Sequence, residues 1–143
     1  MSKKSSVSRR KFIQTTATAA IGAPFILDSY ANSSLKGVLN HASIGIGGMG
    51  GHDLKQFIKH PNVNIVAICD VDSERLKTAS ELVPKARIYS DWRELLKKEA
   101  DNIESINVSV PDHSHFAIAY KAIEMGKSVY CQKPMCHDVA EVR

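Results

Sequence analysis

Residues 45–50, Gly-Ile-Gly-Gly-Met-Gly, have their glycines in the spacing G-x-G-x-x-G. In that spacing the first glycine permits a tight turn, the second lets a pyrophosphate approach the backbone, and the third lets a helix pack closely on a strand. The N–H groups at the start of that helix would bind the anion. An acidic residue follows twenty positions after the last glycine, where such a site needs a carboxylate for the ribose hydroxyls. The pattern therefore predicts a dinucleotide site, against the alternative of a generic strand–helix turn, formed by Gly45, Gly47, Gly48, Met49, Gly50 and Asp70.

The acidic residues around Asp70 favour NAD over NADP as the cofactor. A carboxylate at this position repels a 2′-phosphate, and Asp72 adds a second negative charge nearby. Arg75 keeps NADP open as the less favoured alternative, because it could reach the nucleotide from the first turn of the next helix.

The segment Val110-Pro111-Asp112-His113-Ser114-His115 follows a predicted strand, so it also lies at the edge of the sheet where ligands bind. Asp112 or Ser114 could cap the helix that follows. His113 and His115 alternate as a metal pair would, but a capping or supporting role is favoured. We predict cofactor contacts from Val110, Pro111 and His115.

The segment Cys131-Gln132-Lys133-Pro134 follows the last predicted strand, on the same edge as the glycine loop. A lysine there would lie beside the nicotinamide, hydrogen-bond a substrate hydroxyl as hydride leaves its carbon, and relay a proton in its neutral form. We predict Lys133 as catalytic and Gln132 and Pro134 as cofactor contacts. A metal site is not expected, because Cys131, Cys136 and His137 lack the second pair of ligands that zinc spacing requires. The third cysteine, Cys69, lies in a predicted strand and is interpreted as a small buried apolar residue.

Strands alternate with helices along the chain, which predicts a Rossmann-type α/β fold with a doubly wound parallel sheet. The predicted strands are 39–46, 63–69, 86–89, 103–110 and 128–131, and the predicted helices are 50–60, 72–83, 91–98 (opened by a capping box), 115–125 and one that begins at 135. Gly126 is placed to end the fourth helix. The apolar faces of three helices are predicted to be Leu54, Phe57 and Ile58; Leu76, Ala79 and Val83; and Phe116, Ala119, Tyr120 and Ile123.

The formal net charge of +4 is concentrated at the N-terminus. Residues 1–31 hold five of the 19 lysines and arginines and one of the 15 acidic residues, which leaves 14 of each in the rest of the chain. A neutral body offers no electrostatic footprint for a polyphosphate backbone, so no nucleic-acid partner is expected.

The N-terminal residues have the features of an export signal. Residues 8–13, Ser-Arg-Arg-Lys-Phe-Ile, form a twin-arginine pattern, an apolar stretch follows, and Ser29-Tyr30-Ala31 offers small residues at a cleavage site. We predict a signal peptide over 1–31, a linker over 32–37, a cofactor-binding domain over 38–143, and export to the periplasm; a basic tail is the alternative. The apolar stretch is far shorter than the ~20 residues of a membrane span, so no stable span is expected.

These motifs, taken in order, resemble the glucose–fructose oxidoreductase and inositol dehydrogenase family (Gfo/Idh/MocA) over about residues 38–143. The resemblance implies a nicotinamide-dependent oxidoreductase acting on a sugar or polyol, with Lys133 as the catalytic lysine and a proline that often follows a cis bond. It also implies a homo-oligomer for the complete enzyme. Where the family usually has Glu-Lys-Pro, this chain has Gln132, which keeps a hydrogen-bonding side chain but removes a charge.

The family continues into a sixth strand and an α/β substrate domain, so the resemblance predicts that this chain is a truncated Rossmann domain. An open sheet edge would then favour low solubility or dimerisation. Two alternatives to a dehydrogenase remain: an NAD-dependent glycoside hydrolase of the same family, and a non-catalytic NAD-binding fragment or inactive relic.

Overall fold

The computed structural model describes residues 37–143, and residues 38–143 form one compact unit. The predicted signal peptide and all but the last residue of the predicted linker lie outside the described residues. None of the helices within 37–143 is long and apolar enough to cross a membrane.

Five parallel strands form one sheet in the order β3-β2-β1-β4-β5, so the chain winds outward from β1 in both directions. This is the predicted doubly wound α/β fold. The strands are β1 (Leu39–Ile44), β2 (Val63–Cys69), β3 (Arg87–Tyr89), β4 (Ser105–Val108) and β5 (Ser128–Cys131). The helices are α1 (Met49–Lys59), α2 (Ser73–Leu82), α3 (Trp92–Lys98), α4 (His115–Glu124) and α5 (Val139–Val142), with a 3₁₀ turn at Asp112–Ser114.

Two strands and one helix start differ from the predicted bounds by two or more residues. β1 ends at Ile44 because the glycine loop begins at Gly45, where φ is +80°. β4 spans Ser105–Val108 instead of 103–110, and the last helix begins at Val139 instead of 135.

Side-chain caps explain where two of the helices begin. The Asp72 carboxylate accepts hydrogen bonds from the N–H groups of Glu74 and Arg75 at the start of α2. Asp91 caps α3 in the same way. The predicted capping box of α3 is wrong in its second half, because Glu94 pairs with Lys98 at 2.6 Å, one turn along the helix.

The sheet buries an apolar core on each face. The predicted inward residues of α2, namely Leu76, Ala79 and Val83, are buried, as is Leu54 of α1. Ile58 of α1 is 37% exposed, so the predicted face of that helix is only partly confirmed.

The predicted apolar face of α4 is wrong. The side chains of His115, Ile118 and Ala122 pack inward, whereas Tyr120 and Ile123 are 53% and 61% exposed. Both stripes of this helix are apolar, so helical periodicity alone did not distinguish them. Gly126 ends the helix as predicted, with φ of +72°.

A buried carboxylate joins α3 to the edge strand β3. Glu99, which is 1% exposed at the end of α3, accepts hydrogen bonds from both the Nε and Nη2 groups of Arg87. Tyr89 donates its hydroxyl proton to the same carboxylate at 2.5 Å, and Asn102 donates at 3.1 Å. The hydrogen bonds from Arg87 are the largest cause holding the pKa of Glu99 below its ordinary value.

We predict that Glu99→Gln lowers the free energy of unfolding by about 2 kcal/mol at neutral pH, because charge-assisted hydrogen bonds are lost. Since the folded pKa of Glu99 is depressed, its stabilisation is present above the ordinary carboxyl pKa and is lost as pH falls through the folded value. Urea unfolding at several pH values should show the two proteins converging in acid. Glu94→Gln is the control, since its exposed pair with Lys98 is worth well under ~1 kcal/mol. A constant difference between Glu99→Gln and the parent chain at all pH values would contradict this account.

Candidate functional site

The carboxyl ends of four strands meet at one edge of the sheet. Ile44 of β1 is in register with Cys69 of β2 and with Val108 of β4, and Val108 is in register with Cys131 of β5. The segments that follow these strands are the ones in which sequence reasoning placed the site. The parallel register therefore brings the glycine loop, Asp70, the Val110 segment and the Lys133 segment to the same edge.

The glycine loop is packed too tightly for side chains at two positions. A Cβ on Gly45, where φ is +80°, would lie 2.5 Å from the Ser109 carbonyl oxygen. A Cβ on Gly50 would overlap the Gly45 carbonyl group. Gly47, the second glycine of the motif, instead borders the flexible end of the Arg75 side chain.

Three N–H groups at the start of α1 are available to a ligand. None of the described residues accepts a hydrogen bond from the backbone N–H of Gly47, Gly48 or Met49. These groups stand at the positive end of the helix dipole, and the first turn of α1 contains no acidic residue. This arrangement favours an anionic ligand group.

Both carboxylate oxygens of Asp70 accept hydrogen bonds from backbone N–H groups, one of them in the glycine loop. Its Oδ2 accepts a hydrogen bond from the Ile46 N–H at 2.8 Å, and its Oδ1 accepts one from the Asp72 N–H at 3.0 Å. The residue is 8% exposed and lines a cleft beside the glycine loop. Each oxygen has a second lone pair, so the carboxylate can still accept from a ligand hydroxyl.

A cleft of about 490 Å³ opens between the glycine loop and the loops that follow β2, β3 and β4. Of the predicted site residues, those that line it are Gly45, Gly47, Asp70, Val110 and Pro111. Sequence reasoning did not place β3 and the start of α3 at the site, yet Ser90, Asp91, Trp92 and Arg93 form one wall. The Arg93 guanidinium lies 4.4 Å from the centre of the Trp92 ring. The signal for this wall was the same as for the others, namely polar residues directly after a strand.

The Arg75 guanidinium group lies against the glycine loop. A Cβ on Gly47 would fall 2.6 Å from its Cζ, and its Nε pairs with the Asp72 carboxylate at 3.2 Å. The Arg75 side chain is 55% exposed, so it is free to reorient when a ligand enters. A cation therefore stands beside the free N–H groups of the loop.

His115, which sequence analysis predicts as a cofactor contact, does not line the cleft. The residue is 1% exposed, with Nδ1 2.6 Å from the Pro134 carbonyl oxygen and Nε2 2.8 Å from that of Val110. Its ring therefore ties the segment after β4 to the segment after β5. Neither Asp112 nor Ser114 caps α4 through its side chain, since a 3₁₀ turn leads into the helix and the Asp112 carboxylate accepts from the adjacent His113 N–H.

The segment after β5 presents Lys133 at the surface. Lys133 and Pro134 are exposed, and the peptide bond between them is cis, as the family resemblance implied. The Lys133 N–H donates to the Oε1 of Gln132 at 2.9 Å, which fixes the start of this segment. No described residue accepts a hydrogen bond from the Lys133 ammonium group, so that group is available to a ligand.

The cysteines and histidines of residues 37–143 do not assemble into a metal site, since no three metal-binding side chains are grouped there. Cys69 is buried, and burial raises the pKa of its thiol to about 12, with the charges of Asp70 and Asp91 adding to the effect. Such a thiol is unreactive at neutral pH, in agreement with its interpretation as an apolar core residue.

Comparison with known proteins identifies one family. Residues 39–143 match the GFO_IDH_MocA model, described as an oxidoreductase family with an NAD-binding Rossmann fold. The chain is 30% identical to D-apiose dehydrogenase of Paraburkholderia graminis over 71% of its own length and 27% of that protein. It is 32% identical to glycosyl hydrolase family 109 protein 4 of Phocaeicola vulgatus over 68% of its own length and 20% of that protein.

Solved structures give the same result. Myo-inositol 2-dehydrogenase of Lactobacillus plantarum superposes with a TM-score of 0.68 at 30% identity, covering 73% of this chain and 30% of that one. GenD2 of gentamicin A biosynthesis, solved with NAD, gives a TM-score of 0.68 at 25% identity, covering 75% of this chain and 30% of that one. The chain spans well under half the length of these relatives.

Proposed function

The chain belongs to the Gfo/Idh/MocA oxidoreductase family and forms its NAD-binding Rossmann domain, and from that premise we propose that it serves hydride transfer between NAD and a hydroxyl-bearing carbon of a sugar or polyol. The observation that carries the proposal is that the glycine loop, Asp70 and Lys133 follow strands whose carboxyl ends lie at one edge of the sheet. The substrate class is supported by the relatives named D-apiose dehydrogenase and inositol 2-dehydrogenase.

The residues present fit a dinucleotide. The close packing at Gly45 and Gly50 leaves a cradle without side chains. The N–H groups of Gly47, Gly48 and Met49, from which no described residue accepts a hydrogen bond, would hold a pyrophosphate. The Arg75 guanidinium group would add a charge-assisted contact to the same anion. Asp70 would accept hydrogen bonds from the adenosine ribose hydroxyls at the rim of the cleft.

The chemistry divides between the cofactor and Lys133. Bound NAD would supply the hydride acceptor for oxidation of the substrate carbinol. The Lys133 amine would take the proton from the substrate hydroxyl as the carbonyl forms, and in the reverse direction its ammonium group would return that proton. His115 and Gln132 would position the segment that carries Lys133, since they bind the Pro134 carbonyl and the Lys133 N–H respectively.

Titration with NADH tests the proposal directly. The single tryptophan of the sequence, Trp92, lines the cleft, so bound NADH should quench its fluorescence and gain emission by energy transfer. Saturable binding that NAD displaces is the expected result. A folded chain that binds neither NADH nor NAD would overturn the proposal.

For the choice of cofactor, we propose NAD, because the Asp70 carboxylate faces the cleft and Asp72 partly neutralises Arg75 at 3.2 Å. Asp70→Asn should lower the ratio of the NADP Kd to the NAD Kd by on the order of tenfold, which corresponds to about 1.4 kcal/mol. The ratio is the informative quantity, because any damage to the loop through the Ile46 and Asp72 N–H groups weakens both nucleotides equally.

Arg75→Ala is the matched test of the alternative. If Arg75 holds a 2′-phosphate, the parent chain will bind NADP more tightly than NAD and this variant will reverse the preference. Either that result or an unchanged ratio in Asp70→Asn would contradict the assignment of NAD.

A second candidate is an NAD-dependent glycoside hydrolase. Relatives named glycosyl hydrolase family 109 protein match over as much as 94% of this chain at 28% identity. In that reaction the hydride would be returned to the substrate within each cycle. An aryl glycoside would then release its aryl group without accumulation of NADH, whereas a dehydrogenase would form one NADH for each molecule of substrate oxidised.

A further inference from the structure

A chain of buried and partly buried hydrogen bonds runs from β1 to the segment that carries Lys133. His41, which is 2% exposed, contacts the Asn107 Oδ1 through its Nε2 at 3.1 Å, and Asn107 donates to the Ser109 Oγ at 3.1 Å. The Ser109 hydroxyl donates to the Asp53 Oδ2 at 2.7 Å. The Gln132 Nε2 donates to the same oxygen at 3.1 Å. Asp53 of α1 is therefore the shared acceptor between β4 and the segment after β5.

Gln132 uses both ends of its side-chain amide. Its Nε2 donates to Asp53, 79 positions away in sequence, and its Oε1 accepts from the Lys133 N–H at 2.9 Å. The amide thus connects a carboxylate on the cofactor-loop helix to the backbone of the lysine. A glutamate at this position would have no donor for Asp53 and would place a second carboxylate against it.

We propose that the Asp53 carboxylate and the Gln132 amide form a hydrogen-bonded pair that positions the backbone of Lys133. Position 132 then requires an amide, because Asp53 already supplies the carboxylate. Asp53 is 9% exposed, so solvent would screen a second negative charge there only weakly. The pair also links α1, whose N-terminus carries the glycine loop, to Lys133. The hydrogen-bonded pair itself does not depend on the proposed function. Its role in positioning Lys133 for proton transfer rests on that function.

The pair is tested by exchanging which member carries the charge. Four chains are compared: the parent, Gln132→Glu, Asp53→Asn, and the double variant Asp53→Asn/Gln132→Glu, in which the new amide at position 53 can donate to the new carboxylate at position 132. Gln56→Glu is the matched control, since it makes the same chemical change on an exposed face of α1. Each chain is measured by thermal unfolding and by the NMR hydrogen-exchange protection factor of the Lys133 amide.

At neutral pH, Gln132→Glu should lower the Tm by about 5 °C and reduce the protection of the Lys133 amide by about tenfold, a change of about 1.4 kcal/mol. Both losses follow from placing the carboxylate introduced at position 132 against the carboxylate of Asp53. The double variant should recover most of both quantities, and Gln56→Glu should change neither.

Each remaining outcome is decisive. A Gln132→Glu chain that matches the parent in Tm and in Lys133 protection overturns the pair, and so does a double variant that recovers neither. If Gln132→Glu fails to fold, a folded double variant supports the pair and an unfolded one contradicts it. These measurements need no nucleotide, so a parent chain that binds no NADH would refute the proposed function while leaving this inference standing.

Discussion

Gly50→Ala should strongly destabilise the domain and lower its free energy of unfolding by about 3 kcal/mol or more. A Cβ at this position would lie 2.7 Å from the Gly45 carbonyl carbon and closer still to its oxygen, and both atoms belong to the backbone of the turn between β1 and α1. Neither can rotate away as a side chain would. Helix α1 would have to separate from the loop, which removes Leu54 from its packing in the core. Because a whole domain is stabilised by only ~5–15 kcal/mol, such a loss is a large fraction of the total.

Urea unfolding followed by Trp92 fluorescence and by circular dichroism measures this loss. Gly37→Ala is the matched control, because a Cβ on Gly37 would meet no atom of the described residues within 4 Å. That variant should unfold at the same urea concentration as the parent chain. A Gly50→Ala chain as stable as Gly37→Ala would mean that α1 packs differently on the loop than the structure shows.

The parts of the fold that depend on neighbours in sequence could be predicted closely. The bounds of β2 and β5 match the prediction at both ends, since short, mostly apolar runs flanked by polar residues define them. The inward face of α2 could also be predicted, because only one of its faces is apolar. The Asp72 and Asp91 caps lie directly before the helices they begin, so their signals are local as well.

The buried face of α4 could not be predicted, because the helix has two apolar stripes. Phe116, Tyr120 and Ile123 form one apolar stripe, and Ile118 and Ala122 belong to another. Helical spacing describes both equally. The sheet decides between them: the small Ala122 packs against it with Ile118, which leaves Tyr120 and Ile123 exposed.

The site divides in the same way between local and distant contacts. The glycine loop, Asp70 and Lys133 could be predicted because each follows a strand, and parallel strands place those positions together. Gln132 looked like a simple departure from the family's Glu-Lys-Pro motif. Its reason is Asp53, 79 residues earlier, which supplies the carboxylate that the motif lacks here. The exclusion of His115 from the cleft has the same kind of origin, since its two partners are carbonyl groups of different loops.

The second large effect is expected at Gly47, where an added methyl group should strongly weaken nucleotide binding without unfolding the chain. The three heavy atoms nearest to a Cβ on Gly47 would all belong to the guanidinium group of Arg75, whose side chain is 55% exposed and can turn into solvent. The fold therefore tolerates alanine at this position, in contrast to Gly50. A pyrophosphate bound to the N–H groups of Gly47, Gly48 and Met49 would have to occupy the space that the methyl group fills.

Fluorescence titration of Gly47→Ala should accordingly show NADH binding weakened on the order of 100-fold, or about 2.7 kcal/mol, at an unfolding midpoint close to that of the parent. Arg75→Ala separates the two reasons for such a loss. It removes the guanidinium charge but leaves the loop open, so it should weaken NADH by only about tenfold, the worth of one charge-assisted contact. Equal losses in the two variants would mean that Gly47→Ala acts by displacing Arg75. If a folded Gly47→Ala chain binds NADH as tightly as the parent does, the pyrophosphate does not bind at the glycine loop. The cofactor site proposed at this loop would then be wrong.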